Sequence, residues 1–120
     1  MDSLQVIDQA AAAVAVAPRV RLEDIEAAIE KRYDLNAADA VDEAADAVDE
    51  AWPHVALEVL SLCILVMRNG FTVIGKSAPA SQENFNADLG ARLAYEDAVR
   101  QLWPLMGYAL RDRLYQEARP

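Results

Sequence analysis

The chain has very little of the chemistry that most enzyme sites need. It contains one cysteine, Cys63, and one histidine, His54, among 120 residues. A single thiol cannot form an internal disulfide, and these two side chains cannot supply a zinc ligand set or a pair of nucleophile and base. We therefore expect no enzymatic activity, no metal and no cofactor. We expect Cys63 to be a small buried apolar residue in a reducing compartment.

Long apolar runs are also lacking. The run Ala10–Ala17 is too short to span a bilayer, and the first residues carry acid where a secretory signal carries base. We therefore expect no membrane association and a cytoplasmic location.

Positive charge is scarce and unevenly placed. The formal net charge is −9, and no lysine or arginine lies between Arg32 and Arg68. A chain with this balance does not gain affinity for nucleic acid by releasing counterions, so we expect no direct nucleic-acid binding. Ordinary solvated faces explain the distribution most simply. The functional alternative is a dipolar surface with an acidic segment and a basic C-terminal helix.

The most acidic stretch is a repeat of seven residues. Residues 38–44 and 45–51 both read Ala-Asp-Ala-Val-Asp-Glu-Ala. Seven residues are two helical turns, so Val41 and Val48 share a face, but like charges four residues apart weaken the helix. We predict an acidic helical insertion at 37–52 that folds only if another element packs on the two valines. Its acidic surface candidates are Asp39, Asp42, Glu43, Asp46, Asp49 and Glu50.

The N-terminal part divides at Pro18. Residues 1–18 are predicted to be weakly ordered because their alanine and valine run has no amphipathic face and Pro18 ends it. Residues 19–120 are predicted to form a single α+β domain. Its first element is a helix over Leu22–Arg32, where apolar residues recur at helical spacing and acids precede bases.

The middle of the chain predicts a β-hairpin. Residues Leu57–Met67 are apolar on both alternating faces, so we expect a strand that is covered on both sides. Asn69-Gly70 then separates this run from Phe71–Lys76, as in a type I′ turn. The predicted cross-strand pairs are Arg68 with Phe71, Val66 with Val73, and Ile64 with Gly75. Gly75 indicates a bulge or a close neighbour.

The helical period returns at Asn84 and continues for about eight turns. Pro104 is expected to kink this helix, and two helices meeting at Pro104 are the alternative. The predicted fold is therefore α+β: an N-terminal helix and an antiparallel hairpin packed on a long kinked C-terminal helix. A hairpin alone is marginally stable, so its second layer is either the N-terminal helix or a second copy. We predict a homodimer.

Aromatic and arginine side chains supply the candidates for binding. Tyrosine beside arginine is typical of an anion or nucleotide contact, and equally of an edge that binds a protein partner. Core packing is the simpler role for Trp103. The candidate residues for a ligand or partner are Asn69, Gly70, Phe71, Trp103, Tyr108, Arg111 and Arg113.

Several motifs together resemble a known family. The hairpin reads Asn69-Gly-Phe-Thr-Val-Ile-Gly-Lys-Ser-Ala78, a helix start follows at Asn84-Phe85, and the chain continues to Leu102-Trp-Pro-Leu-Met-Gly-Tyr-Ala-Leu110. This set is similar to a family of small bacteriophage proteins typified by members in N4-like and Sf6-like phages. The acidic repeat and Met106, where an acid is usual, depart from it.

The resemblance implies a phage or prophage accessory protein that acts by binding in the cytoplasm of the host cell. Inhibition of a host process such as antiviral defence is one expectation. A weaker likeness joins Ala94–Leu114 to the C-terminal helix of phage proteins that sequester cyclic nucleotide signals. It implies, as an alternative, a protein that binds a small anionic, nucleotide-like ligand. A structural or assembly accessory protein is the third interpretation.

Overall fold

A three-stranded antiparallel sheet and a long C-terminal helix form the centre of the structure. A computed structural model of the chain describes residues 2–44 and 55–119. Its elements in chain order are helices α1 (Ser3–Val14) and α2 (Leu22–Ala28), strand β1 (Ile29–Asn36), helices α3 (Ala37–Ala44) and α4 (Val55–Glu58), strands β2 (Ser61–Met67) and β3 (Thr72–Ser77), a 3₁₀ turn (Gln82–Asn84) and helix α5 (Ala87–Ala118). The predicted α+β class with a long C-terminal helix is confirmed.

The helix predicted over Leu22–Arg32 is wrong in its last four residues. Helix α2 ends at Ala28, and β1 then pairs antiparallel with β2 in a sheet of order β1-β2-β3. The helical spacing ends at Ile29, and the next residues alternate in side, with Tyr33 opposite Ile64. Pairing with the apolar central strand satisfies the backbone of β1 and overrides the local helical preference.

The hairpin register differs by one residue from the prediction. Leu65 lies opposite Val73, and Cys63 lies opposite Gly75. A shift of one residue moves a whole side-chain set to the other face of a strand. The observed register places Val73 on the same face as Cys63 and Leu65, where it is buried. Burial of the apolar face therefore selects this register.

The turn of the hairpin is longer than the predicted type I′ turn. The Met67 N–H donates to the Phe71 carbonyl at 2.8 Å, and the Gly70 N–H donates to the Met67 carbonyl at 2.9 Å. Residues 68–70 therefore form a three-residue loop. Among the described residues only Gly70 has positive φ, at 88°, whereas a type I′ turn requires it at Asn69 as well.

The core lies between one face of the sheet and α5. Cys63 and Leu65 are completely buried, which confirms the predicted burial of the thiol, and burial raises the pKa of Cys63 to about 11. Gly75 lets α5 approach closely, because a Cβ atom there would lie 2.0 Å from the Ala94 carbonyl oxygen and 2.5 Å from the Ala98 nitrogen. The predicted close neighbour of Gly75 is confirmed.

The opposite face of the sheet is largely open. We expected the apolar strand to be covered on both sides, but α5 packs on one side only, and Tyr33 and Ile74 on the other side are 51% and 56% exposed. Ile64 lies between them in the register and is half-buried. Among residues 2–44 and 55–119, no second layer covers this face.

A helix occupies most of the segment that was predicted to be weakly ordered. Asp2 and Gln5 cap α1 reciprocally, with the Gln5 N–H donating to Asp2 at 2.8 Å. Leu4 is buried in the core, and the Ser3 hydroxyl bonds the buried carboxylate of Glu96 on α5. The capping box and this single apolar anchor stabilise a helix that its alanine and valine run alone did not predict.

Helix α3 forms for a different reason than expected. The Asn36 side chain accepts from the Ala38 N–H at 3.0 Å and so caps the helix. Ala37 and Ala38 are buried, whereas Val41 remains 37% exposed. Packing on the small residues replaces the predicted valine stripe. The second heptad, with Val48 and the candidates Asp46, Asp49 and Glu50, lies outside the described residues.

Helix α5 runs unbroken through Pro104 for 32 residues. Asn86 caps its start by accepting from the Leu89 N–H at 2.9 Å. The alternative of two helices that meet at Pro104 is wrong, and the bend at this residue stays a prediction. The buried residues of α5 end at Leu102. Sixteen further residues, at about 1.5 Å each, carry the helix about 24 Å beyond its last buried residue.

Candidate functional site

A groove lies between the turn of the β2–β3 hairpin and the middle of α5. Its volume is about 420 Å³, which falls in the usual range for ligand pockets. Seven of its lining residues are apolar: Ala28, Met67, Phe71, Leu102, Leu105, Met106 and Ala109. Only Arg68 and Asn69 are polar. We call this site the hairpin–helix groove.

The three-residue loop fixes the hairpin side of the groove. Asn69 accepts a hydrogen bond from the Phe71 N–H at 2.9 Å, so its side chain stabilises the turn. Phe71 stays 52% exposed at the groove. Arg68 is held back against α2, where its Nε donates to the Ala27 carbonyl at 2.6 Å and its Nη1 lies 3.3 Å from Glu30. The charge nearest the groove on this side is therefore paired.

The α5 side of the groove continues the helical stripe of the core. Leu102, Leu105, Met106 and Ala109 follow steps of three, one and three residues, so they lie along one face. Leu102 at the base is 2% exposed, but Leu105 is 47% exposed. The stripe therefore passes from the core into solvent without changing its apolar character.

A second groove of about 310 Å³ lies on the α2 side of the same stripe, and we call it the α2–α5 groove. Both grooves share Met106 and Ala109. Arg113 lines the second groove and makes no ion pair with any described residue. Arg19 lines it as well, but its guanidinium is bonded to Asp8 at 2.9 Å.

The carboxylates beside the α2–α5 groove are stabilised in their charged form. The Leu22 N–H and the Arg19 guanidinium both donate to Asp8 and hold its pKa below the usual value of 3.8. The Arg21 N–H and guanidinium hold the pKa of Asp24 below the same value. At neutral pH this groove therefore carries fixed charges of both signs.

The structure separates the residues predicted for binding. Asn69 and Phe71 lie at the hairpin–helix groove, and Gly70 completes the turn beside them. Arg113 lies at the other groove. Tyr108 is 77% exposed, and neither it nor the exposed Arg111 lines either groove. No single groove therefore combines Tyr108, Arg111 and Arg113 with the hairpin turn, and a role of these residues in binding stays a prediction.

Trp103 has the packing role that was its simpler interpretation. Its ring lies against the core, and its indole N–H donates to the Val20 carbonyl at 3.1 Å. This bond ties α5 to the segment that leads into α2. Trp103 lines neither groove.

The acidic candidates divide between the described and the remaining residues. Asp39, Asp42 and Glu43 lie on α3, and all three are exposed or partly exposed. Within residues 2–44 and 55–119, no three histidine, cysteine, aspartate or glutamate side chains come together in a set that could hold a metal ion.

Sequence reasoning missed the apolar residues that make the groove, above all Met67, Leu105 and Ala109. A signal for α5 was present, because the apolar period runs on past Leu102 for two more turns. The contribution of Met67 could not be read, since it depends on the end of a strand meeting a helix about forty residues later in the chain.

The comparisons with known proteins bear on the segment that builds both grooves. A sequence profile of the phage protein (N4 Gp49/phage Sf6 gene 66) family matches residues 20–114. The chain belongs to this family. The match begins in the segment before α2 and ends near the end of α5, so it includes every residue that lines the grooves except Arg19.

The family assignment confirms the resemblance that the sequence motifs carry and makes this a phage protein. Helix α1 lies outside the matched residues. Searches of curated proteins and of solved structures each found no match. Among the described residues, no helix has the length and apolar character needed to cross a membrane.

Proposed function

We propose that this phage protein acts by binding and not by catalysis, and that its hairpin–helix groove receives apolar side chains of a host protein. The observation that carries the proposal is the groove itself. It has a volume of about 420 Å³ and seven apolar lining residues, and it begins at Leu102, the last buried residue of α5. Partially exposed apolar side chains gathered in one concave site are typical of a binding surface.

The chemistry of the lining favours an apolar protein segment over a nucleotide. A phosphate needs charged or polar donors, and Arg is the side chain that supplies them best. In the hairpin–helix groove Arg68 is already bonded to Ala27 and Glu30, and the Asn69 side chain is bonded to the turn. The remaining lining offers dispersion contacts and desolvation, which suit leucine, isoleucine or phenylalanine side chains.

Capture of a small anionic ligand is the second candidate, and one observation favours it. Arg113 presents an unpaired guanidinium to the α2–α5 groove, within the described part of the chain. The ionised Asp24 in the same groove opposes this function, because it repels an anion. A screen of nucleotides by thermal shift distinguishes the two, since a ligand at 100 times its dissociation constant adds about 2.7 kcal/mol to the stability.

Interference with a host process such as antiviral defence is the physiological role that we propose for this binding. A photo-crosslinking amino acid at Leu105, in protein made during infection, tests where the host partner binds. Tyr115 is the matched control position, because it lies on the same helix and has the same exposure of 47%. We expect one host polypeptide linked from Leu105 but not from Tyr115, and lost when Ala109→Glu is added. Equal linking from both positions, or none from Leu105, contradicts the proposal.

A further inference from the structure

The two edges of the sheet differ in whether other parts of the protein cover their outward backbone groups. At the β3 edge, side chains of α5 occupy the outward backbone groups: the Lys76 N–H donates to Asp97 at 3.0 Å, and Gln101 donates to the Ile74 carbonyl at 2.7 Å. These bonds prevent another strand from pairing there. An unpaired edge is a template for a further strand, so native proteins usually block it in some such way.

The β1 edge has no comparable cover. The Ala37 N–H donates to the Leu60 carbonyl at 2.9 Å. This bond identifies which residues of β1 hydrogen-bond to β2, because in an antiparallel pair every second residue does so. Odd-numbered residues from Lys31 to Leu35 therefore direct their backbone groups to β2. Arg32 and Asp34 direct theirs outward, whereas Glu30 lies at the register shift between Ile29 and Lys31. Within residues 2–44 and 55–119, no other strand pairs with this edge, which is eight residues long.

The charged side chains along this edge are complementary to those of a second, antiparallel copy of the same strand. In an antiparallel pair of identical strands, centring the two-fold axis on Tyr33 places Arg32 opposite the partner's Asp34, and Asp34 opposite the partner's Arg32. Arg32 and Asp34 already lie 3.1 Å apart within one strand. The two strands together then form a square of alternating charges. Opposite charges directly across a pair stabilise it, and like charges destabilise it.

Neighbouring registers lack this match. Centring the axis on Arg32 opposes Arg32 to itself and Glu30 to the partner's Asp34. Centring it on Asp34 opposes that carboxylate to itself. The charges therefore favour the register centred on Tyr33 over the two adjacent registers.

We propose that two copies of this protein associate through the outer edges of β1, antiparallel about a two-fold axis at Tyr33. The association makes one six-stranded sheet with β3 at both of its ends. A two-fold axis perpendicular to the sheet keeps both open faces on the same side. Tyr33 and the partner's Tyr33 then meet at the centre and join the two apolar rows that each contain Ile64 and Ile74.

This proposal is independent of the proposed function. The two sites share no residue, because the hairpin–helix groove is lined by α5, the hairpin turn and the end of α2. Loss of the dimer and loss of host binding can therefore be observed separately.

Disulfide trapping tests the register. In the proposed pairing the two Tyr33 residues form a pair without hydrogen bonds, with Cα atoms about 4.5 Å apart, which a disulfide can span. Leu35→Cys is the matched control, since it lies on the same face of the same strand but several residues from its own copy. The natural Cys63 is fully buried and gives no background. We expect Tyr33→Cys to oxidise to a covalent dimer at least about tenfold faster than Leu35→Cys, because only the former meets the distance requirement.

Charge exchange supplies a second readout that does not depend on oxidation. Arg32→Asp and Asp34→Arg each oppose like charges, so each variant alone should have a mass of one chain, 13.2 kDa, where the wild type has twice that mass. An equimolar mixture of the two variants restores both opposite-charge pairs and should sediment as a heterodimer. Circular dichroism of each variant confirms that it is folded.

The result that overturns the proposal is clear in both experiments. A wild-type mass of one chain at micromolar concentration, or equal oxidation of the Tyr33→Cys and Leu35→Cys variants, excludes pairing in this register. Folded charge variants that remain monomeric when mixed exclude it as well.

Discussion

The two halves of α5 have the same helical period but different surroundings. In the first half, Ala87–Leu102, five side chains are buried, and Ala94 and Ala98 are completely covered by the sheet. In the second half, 103–118, none is buried. The first half supplies all the buried residues of α5. The second half contributes only the partly buried Trp103 and Met106 to the core and extends the apolar stripe along the hairpin–helix groove. An apolar stripe that continues beyond the last buried residue is a surface that a partner can bind.

The overall dimensions agree with this division. The radius of gyration is 18.2 Å. A compact chain of 120 residues would have about 14 Å. The longest dimension is 65 Å, and the other two are 29 and 18 Å. The end of α5 therefore extends away from the body of the protein, which would not improve the packing of an isolated domain.

The largest difference in stability between the two halves of α5 is expected when two glycines are replaced by alanine. Gly75 lies in β3 against the first half, and Gly107 lies in the second half. Gly75→Ala places a methyl group 2.0 Å from a backbone oxygen of the first half, so it should lower the free energy of unfolding by about 3 kcal/mol or more. Gly107→Ala in the second half meets no atom within 4 Å and should raise that energy by about 0.5–1 kcal/mol. Urea unfolding measures both. Equal destabilisation by the two variants would remove the distinction between the halves.

A smaller difference is expected for two leucines three residues apart. Leu102→Ala removes a side chain that is 2% exposed and should cost about 2–5 kcal/mol. Leu105→Ala, at 47% exposure, should change stability by no more than about 0.5 kcal/mol. Thermal unfolding of the two variants provides the measurement. A large loss for Leu105→Ala would show that the groove wall belongs to the core.

The smallest effect concerns Asp8, which joins α1 to the start of α2 through its bonds to Arg19 and the Leu22 N–H. The pKa of Asp8 is lowered by the Leu22 N–H and by Arg19, so the folded state binds its proton more weakly than the unfolded state does. Its stabilisation is therefore complete above pH 3.8, the ordinary value, and is lost as the pH falls towards the lower folded pKa. Asp8→Asn should make the loss of stability in this acid range shallower. Superimposable pH profiles of wild type and variant would contradict the assignment.

Whether a feature could be predicted from the sequence depends on how far apart along the chain its interacting residues lie. The eight-turn period of α5 is a local repeat, and it identified the helix correctly. The class and the family motifs were equally readable. The Asp2 and Gln5 capping box is also a local signal, because its two residues lie three positions apart.

The errors arose where distant contacts decided the local structure. Ile29 continues a helical spacing, yet pairing with β2 makes it the start of a strand. Asn69-Gly70 fits both a two-residue and a three-residue loop, and only burial of Val73 beneath α5 selects the longer one. The groove depends on Met67 and Leu105 meeting across the fold. No short-range pattern in the sequence carries that information.

The most direct test of the account is a comparison of host proteins recovered with three tagged forms of this protein during infection. The forms are the wild type, Ala109→Glu in the hairpin–helix groove, and Tyr115→Glu on the same half of α5 but outside the groove. We expect a host protein that co-purifies with the wild type and with Tyr115→Glu and is absent with Ala109→Glu, while all three forms unfold at similar temperatures. Recovery of the same host proteins with all three forms would contradict binding through the groove.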